Sequence, residues 1–192
     1  MKRLFLIAGL MATLALAIVA SSLAAANFAG TWVLDKAKSQ GLSPRMQGAD
    51  KVTWTITQDD KTISIDQKIE GGQPPAGGGG GGAGGGGGMG GGGGRGAGGP
   101  AGPTSYKLDG SEATSDVTFG QASGKLTLKA TWSGSALELS RKTSFTTDQG
   151  DRVNTNTQKL SLSGDGKVLT AAVHAEGGRG GPTDSTLVFN KQ

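Results

Sequence analysis

Apolar and polar residues alternate with a period of two along most of this chain. The longest such run contains Leu126, Leu128, Ala130 and Trp132, and the residues between them are Thr and Lys. Similar runs lie at residues 52–56, 63–69, 137–139, 160–162 and 169–173. Because successive side chains of a strand point to opposite faces, each run has one apolar and one polar face. The pattern predicts antiparallel strands that are buried on one side.

Turn-forming residues separate these runs at short intervals. Asp109–Gly110 and Ser133–Gly134 are examples, and glycine supplies the positive φ that tight hairpin turns require. Residues 36–50 have room for one short helical turn. Because exposed strand edges must be paired or covered, we expect an all-β, antiparallel meander that closes into a barrel of about 8–10 strands, with a two-sheet sandwich as the alternative. The predicted strands are 29–34, 51–58, 61–69, 104–108, 112–119, 124–132, 135–146, 151–162, 167–175 and 184–190.

A glycine tract interrupts the strands. Of the 37 glycines in the chain, 22 lie between Gly71 and Gly102. This tract has few side chains to bury, so burial cannot offset the entropy lost on ordering it. We therefore predict that residues 71–103 form a long, disordered, flexible loop within one domain that spans residues 27–192. Such a loop costs little closure entropy, because that cost grows only logarithmically with length.

The first 26 residues have the layout of a secretory signal peptide. Lys2 and Arg3 precede an apolar run, and small residues at Ala24 and Ala26 form a cleavage site. We predict that residues 1–26 are removed after Ala26, which leaves a periplasmic or secreted protein without a membrane-spanning segment. An uncleaved anchor helix is the alternative, because an apolar segment of this length can cross a bilayer.

The charge and the reactive residue types exclude several functions. Lys2 and Arg3 carry half of the net charge of +4, and the remaining charges are scattered, which does not favour a nucleic-acid partner. Without cysteine and with one histidine, the chain has no disulfide, thiol nucleophile or multi-histidine metal site. His174 follows Val173 and therefore falls on the polar face of its strand. We predict no catalytic residue, no metal, no cofactor and no enzymatic activity, and an exported hydrolase is the least supported alternative.

The tryptophans are the remaining candidates for a functional role. Trp54 and Trp132 share the parity of the apolar residues in their strands, so we expect both to face inward. They pack a filled core, or they line a cavity for one small apolar ligand, and both interpretations are open. The candidate lining residues are Trp54, Ile56, Ile65, Leu128, Trp132 and Leu139.

The chain contains a set of short segments that carry a family resemblance. They are Phe28–Asp35, Ser39, Asp109–Glu112, Ala130–Gly134, Leu137, Leu139, Leu160–Ser163, Asp165–Lys167, Leu169–Thr170 and Val188–Phe189. Together they resemble a family of small secreted bacterial proteins that are described as lipocalin-like and are largely uncharacterised. This resemblance implies a β-barrel-like fold and brings no established activity.

Gly30, Thr31 and Trp32 also resemble the Gly-x-Trp signature of the first lipocalin strand. That resemblance implies that Trp32 closes one end of the barrel beneath an arginine from a late strand, either Arg141 or Arg152. It also implies transport of an apolar ligand. We therefore expect a non-enzymatic lipocalin-like barrel that binds a small apolar molecule. An envelope structural or interaction protein that uses the glycine tract as a tether is the alternative.

Overall fold

The computed structural model describes residues 25–71, 102–119, 122–147, 150–177 and 181–192. These residues form ten β-strands and one short helix, α1 (Pro44–Gly48), which lies between β1 and β2. The strands are β1 (Gly30–Leu34), β2 (Lys51–Gln58), β3 (Thr62–Glu70), β4 (Thr104–Lys107), β5 (Ala113–Phe119), β6 (Ala122–Ser133), β7 (Ala136–Thr147), β8 (Gly150–Leu162), β9 (Val168–Glu176) and β10 (Thr183–Lys191).

All ten strands belong to one antiparallel sheet in the order β4-β3-β2-β1-β10-β9-β8-β7-β6-β5. β4, at one edge of the sheet, lies against β6 near the other edge, so the sheet is a nearly closed barrel. The predicted all-β meander barrel is confirmed, and the sandwich is excluded because one sheet is present instead of two. Each predicted strand begins and ends within two residues of the observed one, since the two-residue alternation runs to the strand ends.

The two ends of the barrel differ. At one end, called the closed end, lie the turns between β2 and β3, β4 and β5, β6 and β7, and β8 and β9. Phe28 and Trp132 stack there with ring centroids 6.1 Å apart. The indole of Trp32 is fully buried and donates a 2.9 Å hydrogen bond to the carbonyl oxygen of Phe28. The opposite end, where β1, β3, β5, β7 and β9 terminate, is called the polar end.

Inward-facing apolar side chains fill the closed half of the barrel. The ring centroids of Trp54 and Phe189 lie 4.4 Å apart, so β2 and β10 pack together over β1, the strand between them in the sheet. The fully buried side chains of this core are Phe28, Trp32, Ile63, Ala130, Leu137, Leu139, Leu160, Leu169, Ala171 and Phe189. Their positions alternate along each strand, as the sequence pattern predicts.

The connection between β1 and β2 covers part of the polar end. Its backbone runs beside β10, where Gln40 forms an isolated bridge with Thr186. Ser43 caps α1 by accepting a hydrogen bond from the Met46 amide. Ala49 is buried, and Met46 packs against the core. This short helix is the single helical turn expected within residues 36–50.

The predicted signal peptide and most of the glycine tract lie outside the described residues. β3 ends at Glu70 and β4 begins at Thr104, so residues 71–103 connect two strands that pair with each other. Ile65 and Thr104 lie directly opposite in that pairing. Within the described residues, no helix combines the length and hydropathy needed to cross a bilayer.

Truncation of Leu139 tests the packing of the core. Leu139→Ala is expected to lower the free energy of unfolding by about 2–5 kcal/mol, because a fully buried leucine leaves a cavity when it is truncated. Glu138→Ala is the matched control on the outward face of the same strand, with an expected change below about 0.5 kcal/mol. Urea unfolding followed by tryptophan fluorescence measures both. Equal, small losses would show that Leu139 is not packed in the core.

Candidate functional site

The six predicted lining residues all lie on the inner face of the barrel, in two different environments. Three of them are buried and at most 2% exposed: Trp54, Ile56 and Leu139. The other three are partly exposed and pack against the edge of the core: Ile65, Leu128 and Trp132. The buried residues are held by protein neighbours, so only the second group has surface left for another molecule. A ligand-binding role for any of the six stays a prediction.

Contacts within the protein determine how the tryptophans are oriented. The indole nitrogen of Trp54 donates a 3.2 Å hydrogen bond to the side-chain oxygen of Gln67 on β3. The ring of Trp132 stacks on Phe28 with an angle of 23° between the two planes. Trp54 and Trp132 both face inward, as their parity predicts, and both help to seal the closed half.

The cation above Trp32 is a lysine. Lys191, at the end of β10, places its Nζ 5.2 Å from the centroid of the Trp32 ring, within reach of a cation–π interaction. The implied placement of Arg141 or Arg152 at this position is therefore wrong. Both arginines lie farther along the barrel, where Arg141 is opposite Asn156 in the β7–β8 pairing. The two-residue parity of β10 places Lys191 on the inner face together with Phe189.

The inner face changes from apolar to polar along β7 and β8. Leu137 and Leu139 face Leu160 and Gln158 in the closed half. Farther toward the polar end, the inward positions are Arg141, Thr143 and Phe145 on β7, and Arg152, Asn154 and Asn156 on β8. These positions, with their neighbours Leu126 and Leu128 on β6, are called the polar half. Of these residues only Leu128 belongs to the predicted lining, and the resemblance implies Arg141 or Arg152 at Trp32, although the parity of Leu139 and Leu160 continues along both strands.

Arg141 is the unusual residue of the polar half. It is partly buried, and its Nε is the one buried side-chain nitrogen or oxygen within the described parts of the chain that lacks a hydrogen-bond partner. Its cross-strand neighbours are Leu128 and Asn156, and both are uncharged. A guanidinium carries its charge at all physiological pH values. Arg141 therefore brings an uncompensated positive charge to the inside of the barrel.

Tyr106 extends inward from β4 and lies close enough to Arg141 for an electrostatic interaction with its charge. It is 4% exposed, and burial raises the pKa of its hydroxyl to about 12, a rise that the positive charge of Arg141 opposes. The Tyr106 hydroxyl is thus neutral at physiological pH and available as a hydrogen-bond donor. The polar half combines a cation, a neutral phenol and amide side chains, which can bind and orient a polar group.

A second polar cluster lies on the outer face. His174 Nδ1 is 2.7 Å from Asp184 Oδ1, and His174 Nε2 is 3.1 Å from Glu176 Oε1. The hydrogen bond to Asp184, followed by that to Glu176, raises the pKa of His174 above its ordinary value of 6.5. Both ring nitrogens are engaged, so this exposed histidine is an ion-paired surface residue, in agreement with its predicted outward position. A surface groove of about 420 Å³ lies beside it, lined in part by Thr157 and Lys159.

Two further observations describe the surface. Across the described residues, no group of three or more His, Asp or Glu side chains is arranged to hold a metal ion. The β1–β2 connection forms another surface groove of about 500 Å³, lined by Lys36, Ala37, Ser39, Gly41, Leu42 and Gln47. No residue of the polar half lines either groove.

The fold and the inner surface together define a small antiparallel β-barrel with a packed apolar half and a cationic polar half. In comparisons with known proteins, no family model matches the chain, and no curated protein is significantly similar to it. The function is therefore argued from the geometry of the inner surface.

The titration of His174 tests the outer cluster. Its midpoint is expected above pH 6.5, because hydrogen bonds to two carboxylates stabilise the charged imidazolium. Asp184→Asn is expected to lower the midpoint more than Glu176→Gln, since the contact with Asp184 is the larger cause. An NMR pH titration of this single histidine measures the midpoint in each protein. A wild-type midpoint at or below 6.5 would contradict the described contacts.

The same contacts determine how stability depends on pH. Because the pKa of His174 is higher in the folded chain than in the unfolded chain, its charge stabilises the fold fully below about pH 6.5. That contribution is lost as the pH rises through the folded-state pKa. The difference in urea midpoint between the wild type and His174→Gln is expected to be larger at about pH 5.5 than at about pH 9.

Proposed function

We propose that this protein is an exported, non-enzymatic binding protein whose barrel takes up one small, partly apolar molecule in the polar half. The observation that carries the proposal is the change of the inner face from sealed apolar packing to a partly exposed surface of mixed polarity. An inward surface that is neither packed nor fully solvated is typical of a ligand site in a small barrel. The predicted signal peptide, residues 1–26, supports export.

The packed closed half provides a rigid base for such a site. Its floor is made of buried residues such as Leu139 and Leu160, which leave no exposed surface of their own. Above this floor, Leu128 on β6 and Val173 on β9 remain partly exposed on the inner face. Apolar contact with these side chains favours binding by about 25 cal/mol for each Å² removed from water. A ligand therefore binds over the floor without opening the core.

The chemistry of the polar half supports binding over catalysis. Its inward polar side chains are hydroxyls, amides and guanidinium groups, such as Thr143, Asn156 and Arg141. General acid–base catalysis uses groups that exchange protons near neutral pH, whereas amides and guanidinium groups keep their protonation state across that range. They position a ligand through hydrogen bonds and charge.

A neutral apolar dye tests this proposal. N-phenyl-1-naphthylamine is expected to show a saturable, one-to-one rise in fluorescence with the wild-type protein. Leu128→Trp is expected to weaken its affinity about tenfold, which corresponds to about 1.4 kcal/mol, because the larger ring occupies the site. Lys129→Trp, at the next position and on the outer face, is the matched control and is expected to leave the affinity unchanged. Wild-type protein that shows no saturable rise would overturn the proposal.

A second candidate function is an envelope interaction module that uses the glycine tract as a tether. One observation favours it. The strands on either side of the tract, β3 and β4, pair directly with each other, so the tract is inserted into a hairpin of the barrel. The ten described strands form the nearly closed sheet, which leaves the tract as the candidate for a separate role.

Deletion of residues 77–96 separates the two candidates. Thr104 lies opposite Ile65, so the connection from Glu70 must run back along the end of β3, and the residues that remain, 71–76 and 97–103, are long enough to do so. The thermal unfolding midpoint is expected to change by less than about 4 °C, which corresponds to about 1 kcal/mol or less. The binding protein retains its affinity for the dye after this deletion. Dye binding that depends on the tract would count against the barrel site, and the tether function requires that co-purification with envelope partners is lost.

A further inference from the structure

We propose that the molecule bound in the polar half carries a carboxylate, which Arg141 holds through two parallel hydrogen bonds and Tyr106 through a third. This inference rests on the proposed function and adds the charge and the chemical class of the ligand. The ligand is thus an amphipathic anion, with an apolar part over Leu128 and a carboxylate at Arg141.

The distribution of charge between the two faces of the sheet supports an anion. The inward positions of β7 and β8 include Arg141 and Arg152. Every Asp and Glu within the described strands takes an outward, exposed position: Asp66, Glu70, Asp116, Glu138, Asp151, Glu176 and Asp184. Because Arg141 is an inward cation and no carboxylate of the described strands faces inward, the potential near Arg141 attracts a negatively charged guest.

The missing partner of Arg141 supports the same conclusion. A charge taken out of water is costly unless it is paired, and buried Arg side chains are normally found with a carboxylate or phosphate. Within the described residues, Arg141 forms no ion pair, and its buried Nε has no hydrogen-bond acceptor. An anion from outside the chain would supply both the opposite charge and the acceptor.

The atom that lacks a partner indicates the shape of the anion. The Nε–H and the neighbouring Nη–H of a guanidinium are parallel donors that match the two oxygens of a carboxylate. The hydroxyl of Tyr106, a buried residue of β4 where that strand lies against β6, supplies a third donor, since a tyrosine hydroxyl is protonated at physiological pH. Leu128, the partly exposed inward residue opposite Arg141 on β6, provides apolar contact for the rest of the molecule.

A pair of displacing ligands tests the charge preference. Decanoate and decanol have the same chain length and differ in the charge of the head group. Both are expected to displace N-phenyl-1-naphthylamine from the wild-type protein, and decanoate is expected to do so at a concentration about tenfold lower. Raising the salt concentration should narrow this difference, because salt screens the attraction between the carboxylate and Arg141.

Substitutions at the site assign the preference to particular residues. Arg141→Met is expected to abolish the preference for decanoate and to leave the affinity for decanol within about twofold. Lys142→Met is the matched control, because it removes the same charge from the next position of β7, on the outer face. Tyr106→Phe is expected to reduce the preference for decanoate several-fold. Arg141→Lys is expected to keep part of the preference that Arg141→Met abolishes, since lysine keeps the charge without the paired donors.

Thermal unfolding without ligand distinguishes a binding role of Arg141 from a structural one. The two roles predict opposite changes in the unfolding midpoint of Arg141→Met. Arg141→Met is expected to raise the unfolding midpoint by about 2–4 °C, because it removes an unpaired charge from the interior. A large fall in the midpoint would show that Arg141 holds the fold together, and it would overturn the inference.

The outcomes separate this inference from the proposed function. If the dye binds and the wild type does not distinguish decanoate from decanol, the carboxylate site is wrong and the binding function stands. If Lys142→Met abolishes the preference as fully as Arg141→Met, the preference comes from the overall charge and the site is wrong. If the wild type binds no dye, both proposals are wrong. Preference for decanoate that depends on Arg141 and not on Lys142 confirms the site.

Discussion

The architecture of this protein depends on one constraint, which is that a single sheet with one apolar face has only itself to pack against. The ten strands are almost the only regular structure in the described residues, and α1 is a single short helical turn. The sheet therefore curls until its own strands meet across the interior. The contact of Phe28 with Trp132 joins the start of the domain to β6 across the interior, and that of Trp54 with Phe189 packs β2 against β10 over the intervening strand β1. Burial of these large rings is the main favourable contribution to closure.

Closure does not use the whole inner face. The closed half is packed with leucine, isoleucine and aromatic side chains, whereas the inward positions of β7 and β8 beyond Leu139 and Leu160 are polar or charged except for Phe145. A sequence selected for stability would fill these positions with apolar residues. An inward guanidinium without a partner, at Arg141, lowers stability. A charged side chain that faces inward without a partner is characteristic of a functional site. Both proposals therefore place the ligand in the polar half.

The sequence predicted which strand residues face the interior more accurately than it predicted the residues of the site. The parity of Trp54 and Leu139 placed them inside, and both are buried there. The cation over Trp32 was assigned to an arginine by resemblance, and Lys191 lies there instead, because the register of β10 against β1 brings its last strand residue opposite Trp32. Parity also places Arg141 on the inner face, but it does not show that its buried Nε lacks a partner among the described residues.

The amino-acid sequence by itself determined the class of fold, the number and limits of the strands, and which face of each strand is buried. These properties follow from local alternation and from turn residues, which act over a few positions. The tertiary structure decided which residues meet across the barrel, because contacts such as that of Phe28 with Trp132 join segments that are distant in sequence and not adjacent in the sheet. It also decided that Arg141 lacks a partner, since the position of every carboxylate depends on the register of all ten strands. Parity places a side chain on the inside, but only the closed sheet determines its neighbours.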